Sequence, residues 1–402
     1  MNKRIFISSA NGKVLAPPSK SYAHRILISS ALSKHDTTID NVELSNDIIA
    51  TLNCLKALGV SYEYDHKLKS LKLSNNLVKR DLFDCLESGS TLRFMIPIAI
   101  VENGSATFTG TKRLMERGIG IYEEIFNEQG IKYIKEENSI KVEGKLLPGS
   151  YKVLGNISSQ FISGLLFSLP LLNGDSVIEI IPPIESIDYI FITIDVLSRF
   201  GIEIKDDLVN NRLVIKGNQN YLGINSVVEG DYSNAAFLDA FNYLGGNVYV
   251  DGLNELSLQG DKAYIKYFKT LKENDMPTLD ISNTIDLGPI LFVMASLLNG
   301  AKFTGTKRLQ IKESDRVKCV CDELAKFGVE YEIGDNYCII KKSNLHKPTN
   351  MISSHNDHRL VMAFTVMLSK FGGVIENTDA VNKSFPTFFE VVRKLGIEVQ
   401  DE

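Results

Sequence analysis

Tryptophan is absent from this 402-residue chain, histidine numbers six and cysteine five. The lack of Trp, with a net charge of −5, argues against a basic, aromatic-lined groove of the kind that stacks single-stranded nucleic acid. Cysteines 54, 85, 319, 321 and 338 are odd in number and suggest no disulfide framework. Cys319 and Cys321 are the only close pair. On a helix they point to different sides, which reads as core and not as a metal site. P-loop, HExxH and Cys/His metal patterns are all missing. So are long apolar runs: Phe161–Leu172 and Ile290–Leu298 are the most apolar stretches, and both are too short to span a bilayer. The first residues, MNKRIFISSANGK, carry no apolar core of the signal-peptide kind. A reduced, cytoplasmic setting without membrane or nucleic-acid partners is expected.

What is present is an ordinary globular balance, 44% apolar and 23% charged, in a chain long enough for two or three domains. The heptapeptide FTGTKRL occurs twice, at Phe108–Leu114 and Phe303–Leu309. A second, looser repeat runs around it. KALGVSYEY, NEQGIKYI, SRFGIEIK, AKFGVEYEI and RKLGIEVQ each read as a helix end, a Gly C-cap and an alternating strand. Their glycines are 59, 130, 201, 328 and 396, with gaps of 71, 71, 127 and 68. The gap of 127 hides a sixth copy near Lys272. Six helix-and-strand units of this period imply an α/β protein made of two duplicated halves. Duplicated halves often place a ligand in the cleft between them.

Candidate chemistry gathers at expected helix starts. In APPSKSYAHR, Ser19 is a good N-cap, and Lys20, Ser21 and Arg25 follow it. The stretch reads either as an exposed basic first turn or as an anion site. In ESGSTLRF, Gly89 permits close backbone approach, Ser90 or Thr91 caps, and Arg93 sits against the helix dipole. In GNISSQF, Ser158, Ser159 and Gln160 open an apolar helix with more polar groups than one cap needs. Arg117 and Lys312 stand at the same distance from the shared Leu of the two FTGTKRL copies. Lys312 opens KESDR, with Glu313, Asp315 and Arg316. HNDHRL supplies a cap at Asn356 or Asp357 and a misfit cation at Arg359. Asp286 opens a nearly wholly apolar helix, as a cap or as a base in a dry site. Lys383 taken alone reads as exposed. Cations and carboxylates without a metal pattern suit chemistry on strongly anionic small substrates.

SKSYAHR, SGSTLR, ERGIG, GNISSQF, ESIDY, EGDYSNAA, KESDR, NDHR and NKSFP occur in this order along the whole chain. In this the sequence resembles the 5-enolpyruvylshikimate-3-phosphate synthases (3-phosphoshikimate 1-carboxyvinyltransferases) of the enolpyruvyl transferase family. The resemblance implies a two-domain inside-out α/β barrel of six βαβαββ repeats. One domain would be discontinuous, residues 1–18 plus 228–402, and the other would span 19–227, with the active site in the cleft between them. It further implies enolpyruvyl transfer from phosphoenolpyruvate to the 5-hydroxyl of shikimate 3-phosphate through a tetrahedral ketal, without a cofactor or metal, by a monomer. Lys20, Gly89, Arg117, Arg316, Arg359 and Lys383 would bind phosphoenolpyruvate. Ser21, Arg25, Ser158, Ser159, Gln160, Ser186, Tyr189, Asp286 and Lys312 would bind shikimate 3-phosphate. Asp286 would take the hydroxyl proton, and Glu313 and Lys20 would serve the methylene carbon. Glu87, Ser90 and Arg308 depart from the family pattern. Gly89 matches a position where relatives that resist glyphosate tend to carry Ala, which implies sensitivity. The related enzymes acting on UDP-N-acetylglucosamine carry a reactive Cys where TKRLMERGIG has none. An RNA-end-processing enzyme of similar repeats is the other alternative.

Overall fold

The computed structural model describes residues 1–402. The chain divides into two compact units, Met1–Pro17 with Gly230–Glu402, and Pro18–Glu229.

The Pro18–Glu229 unit contains three four-stranded sheets of one topology. Leu82–Asp84 lies parallel to Ser105–Thr109, which pairs antiparallel with Ser139–Glu143, which in turn pairs antiparallel with Lys132–Lys135. Ser150–Leu154, Ser176–Ile181, Arg212–Ile215 and Ile204–Asp207 repeat this order. Ser226–Val227, Thr37–Asp40, Ser70–Ser74 and Ser61–Asp65 repeat it again, with the entry strand supplied from the far end of the unit.

The other unit holds the same pattern once complete, in Thr278–Asp280, Ala301–Thr304, Tyr337–Ile340 and Tyr331–Ile333. A second copy is finished by the N-terminus. Ile352 bridges in parallel to Ile375, and Gly373–Ile375 pairs with Lys3–Ile5, which pairs with Val399–Asp401. The third copy is cut to Asn11–Leu15 parallel to Asn247–Asp251. This is the copy hidden near Lys272. Its helix Tyr264–Glu273 is present, but no antiparallel pair of strands follows. The five predicted C-cap glycines, 59, 130, 201, 328 and 396, all take left-handed φ.

Six helices are buried along nearly their whole length: α1 (Lys20–Leu32), α2 (Gly89–Asn103), α3 (Ser159–Ser168), α4 (Tyr232–Asp239), α5 (Gly288–Leu297) and α6 (His358–Phe371). The strands alternate buried and open positions, as in Ser139–Glu143. Helices that are apolar all round belong inside, and half-apolar sheets belong outside. Each unit is therefore α/β with its helices at the centre. α2 and α3 approach so closely that a Cβ at Gly164 would lie 2.2 Å from the Tyr122 hydroxyl and 2.4 Å from the Arg93 carbonyl oxygen. That hydroxyl donates to the carbonyls of Arg93 (2.6 Å) and Phe161 (3.1 Å), tying the two helices at the turns that carry Arg93 and Gln160.

No helix is long and apolar enough to cross a membrane. Cys321 lies in the core with its sulfur 3.5 Å from that of Cys338, and Cys319 is half-buried. No group of three or more His, Cys, Asp or Glu is arranged to hold a metal ion.

Candidate active site

All six buried helices begin at one of the polar motifs, where first-turn backbone N–H groups and the helix dipole favour anions. Ser158 caps α3 by accepting from Gln160 N, and Asp357 caps α6 by accepting from Arg359 N. The cap of α2 is Ser88, which accepts from Thr91 N, and not Ser90 or Thr91 as the sequence suggested. The helix starts early, at Gly89, so Ser90 and Thr91 lie inside its first turn and Arg93 falls just beyond it. Thr91 instead joins a buried hydroxyl chain. Its Oγ1 is 2.8 Å from Ser88 Oγ and 2.8 Å from Thr51 Oγ1, and Thr51 Oγ1 is 2.7 Å from His24 Nδ1. Burial, then the charges of Lys20 and Arg25, hold His24 well below its ordinary range, so it is neutral.

In the Pro18–Glu229 unit the candidate residues form two hydrogen-bonded groups. Arg25 is 3% exposed, so the first motif is no solvated basic turn. It donates to Thr193 Oγ1 (2.7 Å) and to the carbonyls of Ser21 (2.8 Å) and Tyr189 (3.0 Å). Burial pulls it down to about 10, still charged at neutral pH. The second group centres on Arg93. It donates to Gln160 Oε1 (2.7 Å) and to the carbonyls of Arg117 and Gly118 (3.3 and 3.2 Å), while Gln160 Nε2 donates to Ser90 Oγ (2.8 Å). Lys20 pairs with Asp47 at 2.7 Å. Ser159 is buried, and Ser186 stands in a left-handed turn (φ 55°) before the helix Ile187–Arg199.

Gly89 faces the cations. A Cβ there would lie 2.9 Å from Arg117 Nη2 and 2.9 Å from Arg93 Nη1. Both are ends of flexible side chains, so Gly89→Ala is expected to fold and to displace Arg117. If Arg117 binds phosphoenolpyruvate, its KM rises by roughly tenfold and inhibition by glyphosate weakens in parallel. Steady-state kinetics decide this, and an unchanged KM rejects the role given to Gly89.

The other unit brings Asp286, Lys312, Glu313, Arg316 and Arg359 into one cluster. Arg316 is 1% exposed and binds three carboxylates. Its Nε donates to Asp357 Oδ2 (2.8 Å), Nη1 to Asp286 Oδ1 (3.0 Å), and Nη2 to Glu313 Oε2 (2.8 Å) and Asp357 Oδ1 (3.3 Å). Four of the five N–H donors of a guanidinium are thereby engaged. Asp286 also meets Arg359 Nη2 at 3.2 Å and Lys312 Nζ at 3.5 Å. It lies in a 3-10 turn, Ile285–Leu287, ahead of α5, and works as an ion-pair hub. Burial pushes its carboxyl up, but Arg359, Lys312 and Arg316 outweigh this and hold it well below the usual carboxylate range. It is therefore not a base raised by dryness. Lys383, which read as exposed, is 4% exposed and donates to Asn356 O at 2.8 Å. A lysine ending the short 3-10 helix Thr378–Lys383 shows no periodic pattern, and its Nζ finds a carbonyl 27 residues away.

The profile of EPSP synthase (3-phosphoshikimate 1-carboxyvinyltransferase) matches residues 6–392. The chain belongs to this family. A relative from Clostridium kluyveri named 3-phosphoshikimate 1-carboxyvinyltransferase is 42% identical over 412 aligned positions, covering 97% of this chain and 96% of its own. One of the same name from Clostridium perfringens is 40% identical over 421 positions, covering 98% of each. An EPSP synthase structure from Acinetobacter baumannii shares the fold with TM-score 0.78 at 21% identity, over the whole of both chains. The enolpyruvyl transferase NikO from Streptomyces tendae shares it with TM-score 0.78 at 12% identity, over 99% of this chain and 98% of its own.

In this EPSP synthase family member, sequence reading gave Asp357 only a capping role and overlooked Ser233. Asp357 is fully buried and grips Arg316 with both oxygens. Its signal was present in HNDHRL, where one carboxylate can serve both a helix start and a buried cation. Ser233 accepts from Arg359 Nη1 at 2.8 Å, and nothing local in EGDYSNAA announces that.

Proposed function

We infer that the chain transfers the enolpyruvyl group of phosphoenolpyruvate to the 5-hydroxyl of shikimate 3-phosphate and releases phosphate, by addition and elimination through a tetrahedral ketal. The observation that carries this is the family match along residues 6–392. The chemistry of the side chains agrees with it. Both substrates are anionic, and the buried helix starts offer fixed cations and N–H donors that need no reorganisation during reaction.

We assign phosphoenolpyruvate to Lys20, Gly89 and Arg117 of one unit and to Arg316, Arg359 and Lys383 of the other. Shikimate 3-phosphate goes to Ser21, Arg25, Ser158, Ser159, Gln160, Ser186 and Tyr189, with Asp286 and Lys312. Asp286 takes the 5-hydroxyl proton. With three cations on it, Asp286 alone is a weak base. A substrate phosphate and carboxylate that draw on Arg359, Lys312 and Arg316 raise its basicity, so proton removal waits for both substrates. Glu313 and Lys20 move protons on and off the methylene carbon. The working species is one chain in the cytoplasm with small molecules as its partners.

The test is phosphate release from phosphoenolpyruvate by the purified protein, with shikimate 3-phosphate and separately with UDP-N-acetylglucosamine. Release with the first acceptor alone is expected. Release with the sugar nucleotide alone assigns a different acceptor, and silence with both overturns the reading.

A further inference from the structure

Just ahead of α6 the backbone takes a conformation that side-chain-bearing residues mostly avoid. His355 and Asn356 both stand in the left-handed region, with φ of 49° and 54°. Single Asn and His residues visit this region, but two in a row are strained, and such strain persists only where neighbours over-determine it. Within the turn, Ser353 Oγ accepts from His355 N (3.2 Å) and Ser354 Oγ accepts from Asn356 N (3.2 Å). Asp357 N then donates to Ser354 O (2.9 Å).

The turn is fastened from outside by Glu323, in the last turn of the helix Arg316–Ala325. Glu323 is 3% exposed. Its Oε2 accepts from Ser353 N (2.9 Å) and Lys326 Nζ (2.6 Å), and its Oε1 meets His355 Nε2 at 3.0 Å. Burial pushes the Glu323 carboxyl up, but His355, Lys326 and Ser353 N outweigh this and hold it below the usual carboxylate range. An ionised carboxylate only accepts, so His355 Nε2 is the donor. One carboxylate thus holds the chain on both sides of Ser354 and fixes its path into Asn356.

That path sets the direction of one carbonyl. Asn356 O accepts from Lys383 Nζ at 2.8 Å, and Lys383 is 4% exposed. A lysine ammonium rides on a flexible stem with rotating donors, so a fixed acceptor decides where it points. The helix that carries Glu323 begins at Arg316, and the turn runs on into Asp357, which grips Arg316 and caps α6 beside Arg359. Arg316, Arg359 and Lys383 therefore take their places from one helix and one turn. The His355–Glu323 hydrogen bond is where the two are fastened.

We propose that His355 is a positioning residue: its hydrogen bond to Glu323 holds the left-handed turn whose Asn356 carbonyl aims Lys383 at phosphoenolpyruvate. The proposal rests on the assignment of Lys383 to phosphoenolpyruvate given above. One hydrogen bond sets the expected effect. His355→Ala raises the KM for phosphoenolpyruvate about threefold to tenfold. The KM for shikimate 3-phosphate and kcat change by less than about twofold, as for lost binding of one substrate. His355→Gln keeps an N–H donor at a similar reach and returns the KM to within about twofold of wild type.

The experiment compares wild type, H355A, H355Q, K383M and the double variant H355A/K383M by steady-state kinetics and thermal melting. The His355 side chain is 32% exposed, and Glu323 keeps Lys326 and Ser353 N without it, so H355A is expected to fold. H355A is expected to add nothing in the K383M background, because both act on one contact.

Multiplying effects of H355A and K383M overturn the proposal. So does an H355A variant with an unchanged phosphoenolpyruvate KM while K383M raises it, whatever its melting point, since His355 is then a structural residue only. An equal rise of both KM values in H355A, or an H355Q variant as impaired as H355A, overturns it too. K383M with an unchanged phosphoenolpyruvate KM instead rejects the assignment of Lys383 on which the proposal stands.

Discussion

Glu313→Gln is expected to lower kcat by about 10²- to 10⁴-fold while the protein folds normally and both KM values stay within a few-fold. The side chain is 19% exposed, so the variant leaves no cavity and buries no new charge. Gln retains an oxygen where Glu313 Oε2 accepts from Arg316 Nη2 at 2.8 Å, so the neighbouring side chains keep their places. What the variant loses is the ability to give or take a proton. A loss in kcat without a matching rise in KM is the signature of an interaction made in the transition state. Phosphate release measured at saturating substrates, beside a melting curve, separates this from misfolding. Near-normal kcat removes Glu313 from the proton transfers. Loss of kcat with a melting point lowered by many degrees points to Arg316 having been disturbed instead.

The repeat was legible in the sequence because it rests on local signals. A glycine after a helical stretch and an alternating strand recur at each copy, and Gly59, Gly130, Gly201, Gly328 and Gly396 do take the left-handed conformation that selects glycine. The long-range pairings carry no such signal. Asn11–Leu15 pairs with Asn247–Asp251 across the whole of the other unit's sequence, and Ser226–Val227 with Thr37–Asp40 across nearly the length of its own. The truncated copy shows the same limit. A missing glycine near Lys272 was visible, but the loss of two strands follows only when the sheet is seen.

The candidate site divides in the same way. Residues at helix starts announced themselves through caps and through cations placed against the dipole, as with Arg359 and Asp286. Residues that act through a partner did not. Ser233 is one hydroxyl in a polar stretch, and its meaning comes from Arg359, a neighbour only in space. Even where the residues were right, the electrostatics needed the structure. The sequence left Asp286 open as a base in a dry site, whereas three cations hold it ionised.

Arg316→Met carries the other large effect, on stability. In the folded protein burial pulls the Arg316 guanidinium down, but Asp357, Glu313 and Asp286 more than offset this and keep it charged. Asp357 is fully buried, and although burial raises its carboxyl, Arg316 holds it below the usual value. Met matches the length of the arginine stem and removes only the charge and its donors. Asp357 then keeps Ser314 Oγ (3.0 Å) and Arg359 N (2.9 Å) but loses its main buried counter-charge, leaving only His358 Nδ1 at 3.8 Å. Removing one partner of a buried pair destabilises by about 3–5 kcal/mol. The pH dependence has a definite sign. In wild type the folded value of Asp357 is depressed, so its stabilising contribution is complete above about pH 4 and fades as pH falls through the folded value. In the variant, burial acts without Arg316 and the folded value rises above the unfolded one. Stability is then lost as pH rises from about 4. The gap between the two proteins is therefore widest at pH 7–8 and narrows toward pH 4–5. Urea unfolding at pH 5 and pH 8 measures it. A gap equal at both pH values, or below about 1 kcal/mol at pH 8, means that Arg316 and Asp357 act as a solvent-screened pair and not as the buried anchor of this cluster.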